Sequence, residues 1–195
     1  IKIVMKNTMT FEKNYYKKFE WADKIYRVRG PLKSRFNKIR LDKNEKPDLH
    51  LNKFFQRLRK TITNDHLTAY PETEKLYEAL SKKINVKKNT IVLTPGSDAG
   101  IKNCLDLCVR EKENVLTISP TFAMVDIYSR IKRANQIKVH YDKNLNLDTS
   151  KILNIIRKKK IALVIIANPN SPTGTVIEEK KLINIISTCY ERKTT

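Results

Sequence analysis

Six apolar residues in a row, Ile161-Ala162-Leu163-Val164-Ile165-Ile166, run straight into Ala167-Asn168-Pro169-Asn170-Ser171-Pro172-Thr173-Gly174. A short, unbroken apolar run is the signature of a strand buried on both faces, as in a parallel sheet. The prolines and the glycine stop it, and the polar-apolar mix from Glu178 onward predicts a helix. Strand, stiff loop and helix is the repeating unit of open α/β sheets, in which ligands bind beyond the carboxyl ends of the strands. Two prolines restrict the backbone, so the Asn and Ser side chains between them can be held at fixed angles. A proline-stiffened crossover with no ligand is the plainer alternative.

The same unit recurs upstream. Thr90-Ile91-Val92-Leu93-Thr94 reads as a strand, Pro95-Gly96 as a turn, and Ser97-Asp98-Ala99-Gly100 as a helix start whose apolar positions include Ile101, Leu105 and Cys108. Ser and Asp are favoured N-cap residues, and the free N–H groups of a helix start attract anions. Gly96 allows close approach of a ligand to the backbone. Val115-Leu116-Thr117-Ile118 is a further strand, leading into Ser119-Pro120-Thr121-Phe122. With strands near 90–94, 114–118, 136–141 and 161–167 and helices between them, the pattern predicts an α/β fold, a mostly parallel sheet covered by helices on both faces. Neither a Gly-x-Gly-x-x-Gly nor a P-loop is present. Earlier, Tyr70-Pro71 precedes a helical spacing of Leu76, Leu80 and Ile84, and Leu51, Phe54, Phe55 and Leu58 mark another helical face.

Together these motifs resemble the aminotransferase class I/II family, fold-type I pyridoxal-phosphate (PLP) enzymes, on its histidinol-phosphate aminotransferase-like branch. The resemblance covers roughly residues 41–191, the first half of a typical member. It implies PLP as cofactor. Gly96, Ser97 and Asp98 would hold the phosphate, Phe122 would stack on the pyridine ring, and Asn170 or Ser171 would contact the phenolic oxygen. The family usually has Asn where Ser171 stands. Tyr70 would reach the phosphate in a partner subunit's site, which implies a homodimer. Leu41-Asp42-Lys43-Asn44-Glu45-Lys46-Pro47 is similar to the segment lining the substrate entrance, with Asn44 as a substrate contact and Lys46 in place of a second Asn.

The implied activity is transfer of an amino group between an amino-acid-like donor, histidinol phosphate among the candidates, and a 2-oxo acid. A PLP-dependent decarboxylase of the same fold and a non-catalytic fragment or interaction module are the alternatives. The lysine that would hold PLP, and the carboxylate that would pair with its ring nitrogen, are expected beyond Thr195. No lysine here matches the family's motif, so this stretch is expected to be inactive alone. As domains, we read 1–40 as an N-terminal extension, 41–68 as a segment contributing to a small domain, and 69–195 as the first part of a large PLP-binding domain.

Composition narrows the rest. The 195 residues carry a net charge of +20, which raises nucleic-acid binding as a third reading. The lysines, however, are scattered among Ile and Asn, and the one tight run, Arg157-Lys158-Lys159-Lys160, ends a predicted helix, where cations complement the helix C terminus. With no aromatic-interleaved basic stretch, a solvated basic surface and no nucleic-acid partner are expected. The longest apolar run, Ile161 to Ala167, is far short of the roughly 20 residues a membrane helix needs. Three cysteines and scattered histidines suggest neither a disulfide framework nor a metal site, and a reducing, cytoplasmic setting is expected.

Overall fold

The computed structural model describes residues 39, 45 and 52–195; Asn44 lies outside them, as does the N-terminal extension apart from Ile39. The described residues fall into two compact units, divided in sequence between Leu93 and Thr94.

The first unit holds α1 (Asn52–Thr61), α2 (Asn64–Thr68), α3 (Glu74–Ile84) and a 3-10 turn, Lys88–Thr90. Helix α3 ends because Asn85 turns left-handed, at φ 53°, and returns its N–H to the Ser81 carbonyl. Of the predicted apolar face, Leu51 lies outside the described residues, and Phe54, Phe55 and Leu58 of α1 stay largely exposed. One expected strand is not realised. Residues 91–94 follow the 3-10 turn without joining a ladder, although Ile91 is extended. β-branched residues favour a pleated surface only where a neighbouring strand is there to pair. Here the Leu93 N–H donates instead to the Tyr77 hydroxyl, at 3.1 Å.

The second unit is the α/β part. It contains α4 (Gly96–Cys108), β1 (Asn114–Ser119), α5 (Ala123–Ile131), β2 (Asn135–His140), α6 (Thr149–Lys158), β3 (Leu163–Ile165) and α7 (Glu179–Glu191). The strands are all parallel in the order β2-β1-β3, with Leu116 opposite both Ile137 and Val164. Strand alternation divides the central strand between two cores. Val115 packs with Leu105, Val109 and Leu163 on one face. Leu116 and Ile118 pack with Val139, Ile152, Ile156, Ile161 and Ile185 on the other. Helices α4 and α5 touch each other, as do α6 and α7, so each face of the sheet has its own helical layer. Among the described residues no helix is long and apolar enough to cross a membrane.

Helix α6 starts on a strong cap. The Asp148 carboxylate accepts from the N–H groups of Ser150 and Lys151, at 3.0 and 3.4 Å, and from the Ser150 hydroxyl. The Ser150 side chain, followed by the backbone donors, holds the Asp148 carboxyl below its ordinary range. A depressed carboxylate pKa contributes stability above the unfolded value, and that contribution is lost as pH falls through the folded value. Asp148→Ala should therefore lower the thermal midpoint at pH 7. The gap to wild type should close as the pH is taken down through the acid range, a trend readable by calorimetry.

At the amino edge of the sheet α6 ends within the basic run, with Lys159 as its C-cap. Three separated segments bring Lys112, Lys158, Lys159, Lys160, Arg192 and Lys193 around one cleft there. The cations gather where α6 and α7 present their negative ends.

Candidate functional site

Because the strands are parallel, all three carboxyl ends open on one edge. Strand β1 delivers Ser119, Pro120, Thr121 and then Phe122, the N-cap of α5. Beyond β2, the Tyr141 N–H donates to the Ser119 carbonyl at 3.0 Å and carries the pairing one residue further. Past β3 comes the proline loop. Its Asn168-Pro169 and Ser171-Pro172 bonds are cis, as is Ser119-Pro120 facing it across the edge.

The loop is tied down by Asn170, a polar residue only 3% exposed. Its side-chain amide donates to the Pro120 carbonyl at 2.9 Å and to Thr173 Oγ1 at 2.8 Å. Its Oδ1 accepts from the Thr121 hydroxyl at 2.8 Å. Its backbone closes the turn, with Asn170 N–H on the Thr175 carbonyl at 2.9 Å and Gly174 N–H on the Asn170 carbonyl at 2.8 Å. Gly174 meets this geometry at φ +70°, which glycine adopts without a Cβ clash. Hydroxyls continue the network: Thr173 and Thr175 are 2.8 Å apart, and Thr175 Oγ1 donates to the Tyr141 hydroxyl at 2.9 Å. Asn168 Oδ1 accepts from Ile177 N–H at 2.8 Å and closes the far side.

Both amide hydrogens of Asn170 are thus spent inside the protein, whereas Ser171 is exposed beside it. The loop leaves Ser171 exposed and uses its asparagine as the internal fastening.

Helix α4 leads through residues 109–113 into the start of β1, so it runs back along the sheet and its N terminus lies toward the carboxyl edge. The predicted cap is different in detail. Pro95 occupies the N-cap, with no side-chain cap bond, so neither Ser97 nor Asp98 serves as the cap. The turn is made by Gly96 at φ +83°, whose N–H returns to the Thr94 carbonyl at 2.8 Å while its own carbonyl accepts from Thr94 Oγ1 at 2.9 Å. A Cβ placed on Gly96 would meet nothing within 4 Å, so the backbone here is open to a ligand. The first N–H groups of a helix have no acceptor within it, and here they sit with the exposed Ser97 and half-buried Asp98.

The predicted residues therefore divide. Gly96, Ser97 and Asp98 open α4; Phe122, half-buried, heads α5; Asn170 and Ser171 form the loop after β3. Tyr70, 99% exposed, belongs to the first unit, between α2 and α3. Sequence reasoning did not single out Thr121, Thr173, Thr175 or Tyr141. A Thr-Gly-Thr run after a proline could have flagged two of them, but nothing local connects Tyr141 to a loop 34 residues on from it.

Comparison with known proteins identifies the family. The aminotransferase class I and II family matches residues 37–195. Histidinol-phosphate aminotransferase of Caldanaerobacter subterraneus subsp. tengcongensis is 32% identical over 151 residues, 76% of this chain and 43% of that protein. The crystal structure of histidinol-phosphate aminotransferase from Clostridium acetobutylicum superposes with a TM-score of 0.62 at 26% identity, over 73% of this chain and 41% of its own. Cystalysin from Treponema denticola, whose crystal structure contains PLP, shares the fold at TM-score 0.65 and 16% identity, over 100% of this chain and 49% of its own. The chain thus spans less than half the length of the curated relatives it matches. On the family match, the strand–loop–helix order and the proline loop, this chain belongs to the aminotransferase class I and II family.

Proposed function

We propose that this chain forms one wall of the PLP site of an aminotransferase that moves an amino group from an amino-acid-like donor to a 2-oxo acid. The observation that carries the reading is the Asn170 fastening, which locks the family's proline loop against the Ser119–Phe122 segment at the carboxyl edge of the sheet.

The residues suit the cofactor chemically. An anionic phosphate needs N–H donors without competing acceptors, and the open Gly96 turn with the first turn of α4 offers them. A planar ring needs a flat apolar face, which Phe122 can supply. A phenolic oxygen needs a donor, and Ser171 is our choice because Asn170 has no amide hydrogen left. When bound, PLP supplies an electron sink for the bond that breaks at the donor carbon. The part of this chain is to bind and orient: α4 anchors one end, Phe122 sets the plane, and the loop fixes the edge. In the same proposal, residues 69–195 begin the large domain, 41–68 contribute to the small one, and Asn44 touches substrate. The exposed Tyr70 would complete the site of a second subunit in a homodimer. The proposed setting is reducing and cytoplasmic.

Gly96→Ala separates anchoring from folding. A Cβ fits the space but not the positive φ, so a stability loss of about 1 kcal/mol is expected. PLP affinity should fall further, by tenfold or more, because the methyl group shields the amides from the phosphate; titration and urea unfolding on the same variant read both.

The reaction class is tested by incubating the full-length, PLP-loaded protein with histidinol phosphate and 2-oxoglutarate. Formation of glutamate supports transamination. In a parallel incubation with a phosphorylated amino acid, which carries the carboxylate that histidinol phosphate lacks, release of carbon dioxide without glutamate would favour the decarboxylase instead.

A further inference from the structure

We infer that Tyr141, at the end of β2, is a positioning residue for the proline loop and, through it, for the cofactor contact at Ser171; this rests on the PLP reading above. The hydrogen bonds carry a single direction. Thr121 Oγ1 donates to Asn170 Oδ1, and Asn170 Nδ2 donates to Thr173 Oγ1. Thr175 Oγ1 donates to the Tyr141 hydroxyl, so its own hydrogen is committed and Thr173 must be the donor in the Thr173–Thr175 pair. The chain therefore runs Thr121, Asn170, Thr173, Thr175, Tyr141, with separations of 2.8 to 2.9 Å throughout.

Tyr141 is the terminal acceptor, and it is anchored independently of the loop. Its N–H is bonded to the Ser119 carbonyl at 3.0 Å. Its ring packs against the core formed by β1, β2, α6 and α7. The phenol thus stands on the rigid sheet while everything it holds is loop. Without it the Thr175 hydroxyl loses its acceptor, and Thr173 loses the neighbour that fixes which way its hydroxyl points. Asn170 remains bonded to the Pro120 carbonyl and to Thr173, and the backbone still closes the turn, but the Thr173–Thr175 side of it loses its hydroxyl tie to the sheet. Groups that act in a chain are coupled, so the effect of removing the end is felt along its length.

Tyr141→Phe in the full-length protein tests this, since the ring and its packing are kept and only the hydroxyl goes. Amide hydrogen exchange at Asn170, Ser171 and Thr173 to Thr175 should quicken about five- to tenfold relative to wild type, with no change at Ile118 and Val139. The visible absorbance of bound PLP should titrate with a midpoint displaced by half a pH unit or more, because the donor to the phenolic oxygen is no longer held. Unchanged exchange overturns the linkage. Faster exchange with an unmoved midpoint overturns the positioning role and leaves Tyr141 a structural residue. A wild-type protein that takes up no PLP would remove the proposed function and the positioning role together, while the exchange experiment would still decide whether the linkage exists.

Discussion

Asn170→Asp is expected to destabilise the α/β unit by about 4 kcal/mol at pH 7, read from the urea midpoint. The change is nearly isosteric, so packing barely alters; what changes is hydrogen-bond direction. Wild-type Asn170 donates to the Pro120 carbonyl and to Thr173. An aspartate places an acceptor against that carbonyl, at a site that is 3% exposed, and adds a charge with no cation among its bonded partners. Asn170→Ala should cost somewhat less, about 3 kcal/mol, because it strands the Pro120 carbonyl and the Thr121 hydroxyl without introducing a charge. For a domain stable by only about 5–15 kcal/mol either loss is large. The order, Asp worse than Ala, distinguishes a directional fastening from simple volume loss, which would rank them the other way.

The second large effect lies in the core beneath the site. Ile156 of α6 is 0% exposed, packed with Leu116, Ile118 and Ile152. Ile156→Ala removes methyl and methylene groups from the middle of that cluster, where the parallel sheet behind and the helices in front limit collapse. A cost of about 3–4 kcal/mol is expected, and about 1 kcal/mol for Ile156→Val. Ile186, on α7 but 59% exposed, is the control: its alanine variant should stay within about 0.5 kcal/mol of wild type. Equal effects at 156 and 186 would mean that burial in this core, which Ile156 has and Ile186 lacks, does not set the cost.

Much of this was legible in the chain because it is local. The apolar run at 161–166 and its prolines predict strand and loop, and β3 with the loop after it stand there. Val115 to Ile118 likewise become the central strand, buried at every position. Where the reading departs from the structure, what decides is a distant partner or a backbone angle that composition does not show. Residues 91–94 have strand composition, but no strand pairs with them among the described residues, and composition cannot supply one. Ser97 and Asp98 are good caps, yet the positive φ of Gly96 starts the helix one residue earlier and leaves the cap to Pro95. Asn170 and Ser171 are adjacent polar residues in one loop, and nothing in their types says which faces inward. That is decided by Pro120 and Thr121, some 50 residues earlier.

On the proposal above, the carboxyl edge of this sheet is one wall of a PLP site. The most direct measurement is to load the full-length protein with PLP, dialyse, record the visible absorbance and treat with borohydride. The expected result is a retained visible band that borohydride bleaches, with the cofactor fixed to a single lysine. A protein that stays colourless and keeps no PLP after dialysis would contradict it.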